Sequence, residues 1–265
     1  MHSRTDLLTL CFFTALSIVT VVPTQFALGF QDAQESSEKP TAAKQKKPKA
    51  AKKPRANPAM AKVEDVEGLP RILLIGDSIS IGYTVPVRKA LAGKANVHRP
   101  LTNCGPTTKG VAELEKWLGK GKWDVIHFNF GLHDLKYMGP NGENLANPKD
   151  AKSHQQVPPE EYRDNLESIV QRLKKTGAKL IWRNTTPVPA GAKGRVVGDS
   201  KEYNKIAAEV MKEHSIPTDD HYSFAMTKMK EIQLPANVHF TKDGSQALAA
   251  RVVDSLTRAL PELGK

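Results

Sequence analysis

The strongest constraint on this chain is an alternation that begins at Leu69. Short apolar runs of strand length recur, and each is followed by a segment with helical spacing. Ile72–Ile75 is the first run, broken by Gly76-Asp77-Ser78, and a helix is expected from there to Gly93. Asn96–His98 reads as a short second strand, and Val111, Leu114 and Leu118 then recur at helical spacing. Trp123–Phe130 is the next strand, ended by Gly131. Pro158-Pro159 opens a helix whose Tyr162, Leu166, Ile169, Val170 and Leu173 share one face, and Gly177 stops it. Lys179–Trp182 is a strand that ends at Thr185-Thr186-Pro187. Tyr203, Ile206, Ala207, Val210 and Met211 mark a helix, Ser215–Pro217 a last short strand, and Leu248, Val252 and Leu256 the final helix. A chain that alternates in this way builds a parallel sheet with helices on both faces. Ligands of such sheets sit at the carboxyl ends of the strands.

What precedes the alternation has a different character. Residues 1–30 read as a secretory signal: Arg4 supplies the positive start, Leu7–Val22 is almost wholly apolar, and Ala27 and Gly29 are the small residues of a cleavage site. An uncleaved membrane anchor is the alternative, but the apolar run stops at Pro23, short of the ~20 residues of a full span. The expectation is a cleaved leader and a secreted or periplasmic protein, with membrane contact only if the leader is retained. Residues 31–68 read as a disordered linker, dominated by Lys, Ala and Pro from Lys39 to Lys62. Such a segment buries too little apolar surface to offset the entropy of ordering it. The expected domain is therefore 69–265.

The net charge is +11, and eight of those excess charges lie beyond residue 69. A basic surface favours anionic partners in general. No basic motif with interleaved aromatics is present, so nucleic acid is not expected. The only cysteines are Cys11 and Cys104, and removal of the leader leaves Cys104 without an intrachain partner.

Four stretches fall where the carboxyl edge of the sheet is expected: Gly76-Asp77-Ser78, Asn103-Cys104-Gly105, Gly131-Leu132-His133-Asp134 and Val238-His239-Phe240. Each has a plain reading by itself. Ser78 at a strand-to-helix turn either caps the helix or presents a hydroxyl beside free helix N–H groups that favour negative charge. Gly105 before Pro106 suits an ordinary turn, and His239 suits a loop histidine. Asp219-Asp220-His221 and His133-Asp134 show no recognised metal-ligand spacing, and no phosphate-binding loop follows the first strand. No cofactor is expected.

Taken in order, the four stretches resemble the blocks of the SGNH hydrolases, also called the GDSL esterases. The resemblance covers about residues 70–258. Gly76-Asp77-Ser78-Ile79 stands for Gly-Asp-Ser-Leu, Asn103 and Gly105 for the Asn-x-Gly loop, and Val238-His239-Phe240-Thr241 for the histidine block. Thr185-Thr186-Pro187-Val188-Pro189 also looks like this family. The resemblance implies a three-layer α/β sandwich with a mostly parallel, five-stranded, flavodoxin-like sheet. Two positions depart from the pattern. The third block, usually Gly-x-Asn-Asp, has His133 for its Asn, and the position three before the histidine, usually Asp, is Ala236.

By this resemblance Ser78 is the nucleophile and His239 its base, because a serine hydroxyl is a weak nucleophile until a neighbour takes its proton. The oxyanion donors are then the N–H groups of Ser78 and Gly105 and the side chain of His133, whose ring can donate as an Asn amide does. Asn129 is a possible stand-in for the missing Asn. Asp77, Asn103 and Asp134 are supporting residues. With Ala236 in place of Asp, the His239 ring is expected to lean on a main-chain carbonyl near Pro235 or Ala236, or on the amide oxygen of Asn237. Asp243 is a weaker candidate, since an acid in the first turn of a helix is explained by the helix dipole.

The expected function is a secreted serine esterase acting on a small-molecule or polysaccharide ester, with acetylated carbohydrate as the leading class. The competing readings are a glycan-binding module that has lost activity and a lipid or thioester hydrolase. The loop Lys136–Val157, rich in Gly, Asn, Pro and Lys, either shapes a polar cleft or is a surface excursion.

Overall fold

A computed structural model of the chain describes residues 57–265. The expected leader and most of the expected linker lie outside the described residues. Strand β1 (Arg71–Ile75) runs into helix α1 (Ser78–Ala90), followed by β2 (Asn96–His98), α2 (Thr107–Leu118) and β3 (Val125–Phe128). A two-stranded excursion, β4 (Tyr137–Met138) and β5 (His154–Gln155), precedes α3 (Pro159–Lys174). Then come β6 (Lys179–Arg183), α4 (Asp199–Glu213), β7 (Thr218–Asp219), α5 (His221–Ile232) and α6 (Lys242–Ala259).

The main sheet has the order β2-β1-β3-β6-β7, and every neighbouring pair is parallel. This is the flavodoxin-like five-stranded arrangement expected above. Its central strands carry continuous apolar runs because helices cover both faces. Ile72, Leu74, Val125, Ile126 and Phe128 are all fully buried. Helix α6 packs on α1 and α5, while α2, α3 and α4 pack on one another in sequence. Helix α3 follows its sequence signals closely: Pro at its start, Glu160 and Glu161 in the first turn, Arg172 and Lys174 in the last, and the five expected residues buried.

Several expectations need correction. The linker stops earlier than position 69. Residues 57–68 are docked on the domain: Ala59 is buried, and Asn96 binds both the N–H and the carbonyl of Val66 through its amide. Asp65 accepts from Arg71 at 2.9 Å. The pull of these polar contacts is invisible in a segment read for apolar periodicity. Val111, which shares the helical spacing of Leu114 and Leu118, is 47 % exposed, whereas those two are buried. The last strand is Thr218–Asp219 in place of Ser215–Pro217, and α5 was not anticipated because its apolar residues are scattered. The Lys136–Val157 loop is partly ordered by the β4–β5 pairing, and the Tyr137 N–H donates to the Gly194 carbonyl at 2.8 Å.

Candidate active site

Ser78 is the first residue of α1, directly above the end of β1. Asp77 caps the helix by accepting the Ile79 N–H at 2.9 Å. Because Ser78 opens the helix, its own N–H is one of those that helix geometry leaves without an intrahelical acceptor. The Gly76 carbonyl accepts from the Cys104 N–H at 3.3 Å and from the Arg99 guanidinium at 3.2 Å. These bonds draw the Asn103–Gly105 loop alongside Ser78.

The Asn103 side chain accepts the Gly105 N–H at 3.0 Å, closing a small turn. That donor, expected to be free for an oxyanion, is therefore engaged within its own loop.

The third stretch is held from three sides. Gly131 has φ +146°, and a Cβ there would lie 2.0 Å from Thr185 Oγ1, so only glycine fits. This contact explains the Thr185-Thr186-Pro187 stretch: Thr185 Oγ1 donates to the Phe130 carbonyl at 2.8 Å and roofs the turn. Arg195 donates through Nε and Nη2 to the Leu132 carbonyl, at 3.1 and 3.0 Å. Asp134, fully buried, accepts both the N–H and the hydroxyl of Thr107, at 2.7 and 2.6 Å. It thereby caps α2, whose own N-cap residue Pro106 offers no side-chain bond. Burial pushes the Asp134 carboxyl up to about 7, against the pull of the Thr107 donors.

These ties fix the turn that carries His133. Burial holds its imidazole below the ordinary histidine range; Asp77 opposes that shift, and Lys136, Arg195 and His239 add to it. A neutral ring offers one N–H donor.

His239 comes from the loop between α5 and α6. Its base is closed by the Thr241 N–H donating to the Ile232 carbonyl at 2.9 Å and the Leu234 N–H donating to the His239 carbonyl at 2.9 Å. Gly244 lets α6 start against this loop, since a Cβ there would meet the Ile232 carbonyl oxygen at 2.1 Å. His239 Nε2 lies 2.8 Å from Ser78 Oγ. On the other side of the ring, Nδ1 lies 2.7 Å from Asn237 Oδ1, which also accepts the His239 main-chain N–H at 3.0 Å. The partner of the imidazole is thus the Asn237 side chain and not a carbonyl near Pro235 or Ala236. Ala236, where the pattern has Asp, takes up the turn with φ +50°. Asp243 is exposed in the first turn of α6 and has no ion pair among the described residues.

Asn129 does not reach the cleft. It is buried, donates to the Arg183 carbonyl at 2.8 Å and accepts from the Arg183 guanidinium. Arg183 and Arg195 are the residues that reading the sequence missed. Arg183 is wholly buried at the end of β6, with its guanidinium 4.0 Å from Asp77. The signal was a charged residue closing an apolar strand. Arg195 sits in a Gly-rich loop with no such signal.

The arrangement brings a hydroxyl, an imidazole and an amide oxygen into one line of hydrogen bonds, with the His133 ring close by. The fold is that of known ester hydrolases. An acetyl xylan esterase, AlAXEase, superposes with a TM-score of 0.56 at 12% identity, over 70% of this chain and 99% of its own. The lipase/acylhydrolase from Enterococcus faecalis gives 0.58 at 23%, over 71% and 95%. Axe2, an acetylxylan esterase from Geobacillus stearothermophilus, gives 0.54 at 17%, over 74% and 94%. No curated protein matches the chain in sequence. Residues 74–247 match the GDSL-like lipase/acylhydrolase family, a span that contains every block described above; the chain belongs to that family and is a hydrolase of ester bonds.

Proposed function

We propose that the chain is a serine esterase that removes a small acyl group, acetyl in the leading case, from a carbohydrate. The observation that carries the catalytic part is the run Ser78 Oγ–His239–Asn237 Oδ1, with both links inside hydrogen-bonding distance. Ser78 Oγ attacks the ester carbonyl while His239 Nε2 takes its proton. Charge then gathers on the former carbonyl oxygen, where the Ser78 N–H and the His133 ring donate. The tetrahedral species collapses, the C–O bond to the alcohol breaks, and His239 returns the proton to the departing oxygen. Water, deprotonated by the same ring, then releases the acid and restores Ser78. Acetyl on carbohydrate is supported by the two acetylxylan esterases among the structures that share this fold. The leader supports action outside the cytoplasm, in a secreted or periplasmic setting.

A fluorophosphonate probe tests the catalytic part. It labels the wild type at Ser78, and labelling is lost in Ser78→Ala and in His239→Ala. A folded chain that takes no label at Ser78 would instead be a binding module.

A further inference from the structure

A small pocket of about 90 Å³ lies over the site, lined by Ser78, Ile79, Gly82, His239, Phe240 and Ser245. Two of those residues, Gly82 and Ser245, also line a second and larger hollow of about 640 Å³. This groove runs between α1 and α6. On α1 its wall is Gly82, Val85, Pro86 and Ala90, spaced so that they share one face of the helix. From Gly82 to Ala90 that face is about 12 Å long at the rise of an α-helix. Ser245 and Gln246 stand opposite on α6.

We propose that this groove is the subsite for the alcohol half of the ester, and that it takes the sugar chain from which the acyl group is removed. The inference rests on the serine-esterase reading. The direction follows from the chemistry: His239 must protonate the departing oxygen, so the alcohol lies on the imidazole side of Ser78. The groove opens on that side, through the small pocket that His239 lines together with Ser78, and His133, the candidate side-chain oxyanion donor, lines neither hollow.

The choice of a sugar over an alkyl group follows from Pro86. A proline inside a helix has no N–H, so the carbonyl four residues earlier, that of Gly82, loses its helical partner. Helix carbonyls point along the chain toward the next turn, and here that turn is the groove wall. The Ser245 hydroxyl is close by, since a Cβ on Gly82 would lie 3.1 Å from its Oγ. An alkyl chain laid across this mouth buries an unpaired carbonyl, a loss on the order of tenfold or more in affinity. A sugar ring sets its C–H face on Val85 and Pro86 and donates a hydroxyl to the same carbonyl. Lys89 and Lys242 at the edges of the groove disfavour the basic N-terminal segment of the chain itself as occupant.

The test uses the full chain with four acetates: methyl acetate, octyl acetate, an acetylated monosaccharide and acetylated xylotetraose. The expected kcat/KM rises about tenfold or more from the monosaccharide to the tetrasaccharide, and octyl acetate gains nothing over methyl acetate. Pro86→Ala supplies the missing N–H, pairs the Gly82 carbonyl inside the helix and favours folding. It is expected to cut the tetrasaccharide gain about two- to tenfold, a change that a purely structural role of Pro86 does not produce. Xylotetraose titrated into Ser78→Ala is expected to shift the methyl signals of Val85 and Ala90 saturably, without any turnover. Octyl acetate outrunning the tetrasaccharide, or Val85 and Ala90 silent to xylotetraose, overturns the proposal. Failure of the esterase reading looks different: no turnover of any acetate and no label at Ser78, with the titration still deciding the groove.

Discussion

The Asn237 amide oxygen accepts two bonds from the same residue, His239, one from ring Nδ1 at 2.7 Å and one from the main-chain N–H at 3.0 Å. The second bond settles the first. A main-chain N–H can only donate, so the atom facing it is the amide oxygen, and Nδ1 must then carry the ring proton. Nε2 is left bare toward Ser78 Oγ, as a general base requires. An amide thus does the orienting that a carboxylate does at Ala236's position elsewhere in the pattern. It holds the tautomer but adds no charge to steady an imidazolium.

Asn237→Ala is therefore expected to lower kcat about 10- to 100-fold with little change in KM, the loss of one orienting bond to a group that becomes charged. Asn237→Asp keeps the acceptor and is expected to retain or raise kcat. Asp243→Ala is expected to leave both constants where they are. Steady-state kinetics on p-nitrophenyl acetate measure all three, and a collapse of turnover in Asp243→Ala would move the orienting role to that carboxylate.

His133→Ala is expected to cost about 10²–10³ in kcat, the usual loss for one oxyanion donor. With Gly105 N–H tied to Asn103, fewer donors remain to share the charge. His133→Asn restores a side-chain donor and is expected to recover most of that loss. An alanine variant with kcat within threefold of wild type would remove His133 from the oxyanion site.

The sheet was legible because β1, β3 and β6 are buried on both faces, and continuous apolar runs between helical stretches have few other interpretations. Ser78 and His239 were legible through the resemblance, because each stands in a short contiguous block, Gly76-Asp77-Ser78-Ile79 and Val238-His239-Phe240-Thr241, that needs no contact across the chain to be read. What stayed hidden depends on contacts across the chain. Nothing in the sequence says that Asp134 reaches Thr107, that Arg195 grips the Leu132 carbonyl, or that Arg183 occupies Asn129 and so removes it from the cleft. Asn237 was one of several acceptors left open, and only the backbone reversal at Ala236 singles it out.

Asp134 makes a pH-dependent contribution whose sign is opposite to that of most carboxylates. Its folded value is about 7 and its unfolded value 3.8, so between those limits the folded state holds the extra proton. Stability from this group is full below pH 3.8 and declines as pH rises through 7, by a total on the order of 2–4 kcal/mol. Asp134→Asn keeps an oxygen for Thr107 and cannot ionise. Urea unfolding at pH 5 and pH 8 is expected to show the wild type losing stability relative to this variant over that interval. Parallel behaviour of the two proteins would mean that the Thr107 bonds fully offset the burial.

A second buried cluster works in the other direction. Asp219 Oδ2 lies 3.2 Å from His127 Nε2 and 3.0 Å from His221 Nε2, and all three residues are buried, against the ring of Tyr83 on α1. Burial holds His221 down to about 4, against the pull of Asp219, whereas in the unfolded chain it titrates near 6.5. Burial alone raises Asp219, but its bonds to His127 and His221 outweigh that and hold it below the usual carboxylate range. A depressed histidine contributes stability above its unfolded value and loses it as pH falls through the folded one, here on the order of 3 kcal/mol between pH 6.5 and 4. The Asp219 contribution is lost at still lower pH. Because Tyr83 lies on α1, the helix that Ser78 opens, activity lost in mild acid is expected to reflect melting of this cluster. His221→Gln removes the titrating ring, so its melting temperature is expected to fall less than that of the wild type between pH 6.5 and 4. Equal falls in the two proteins would clear the cluster of any part in acid sensitivity.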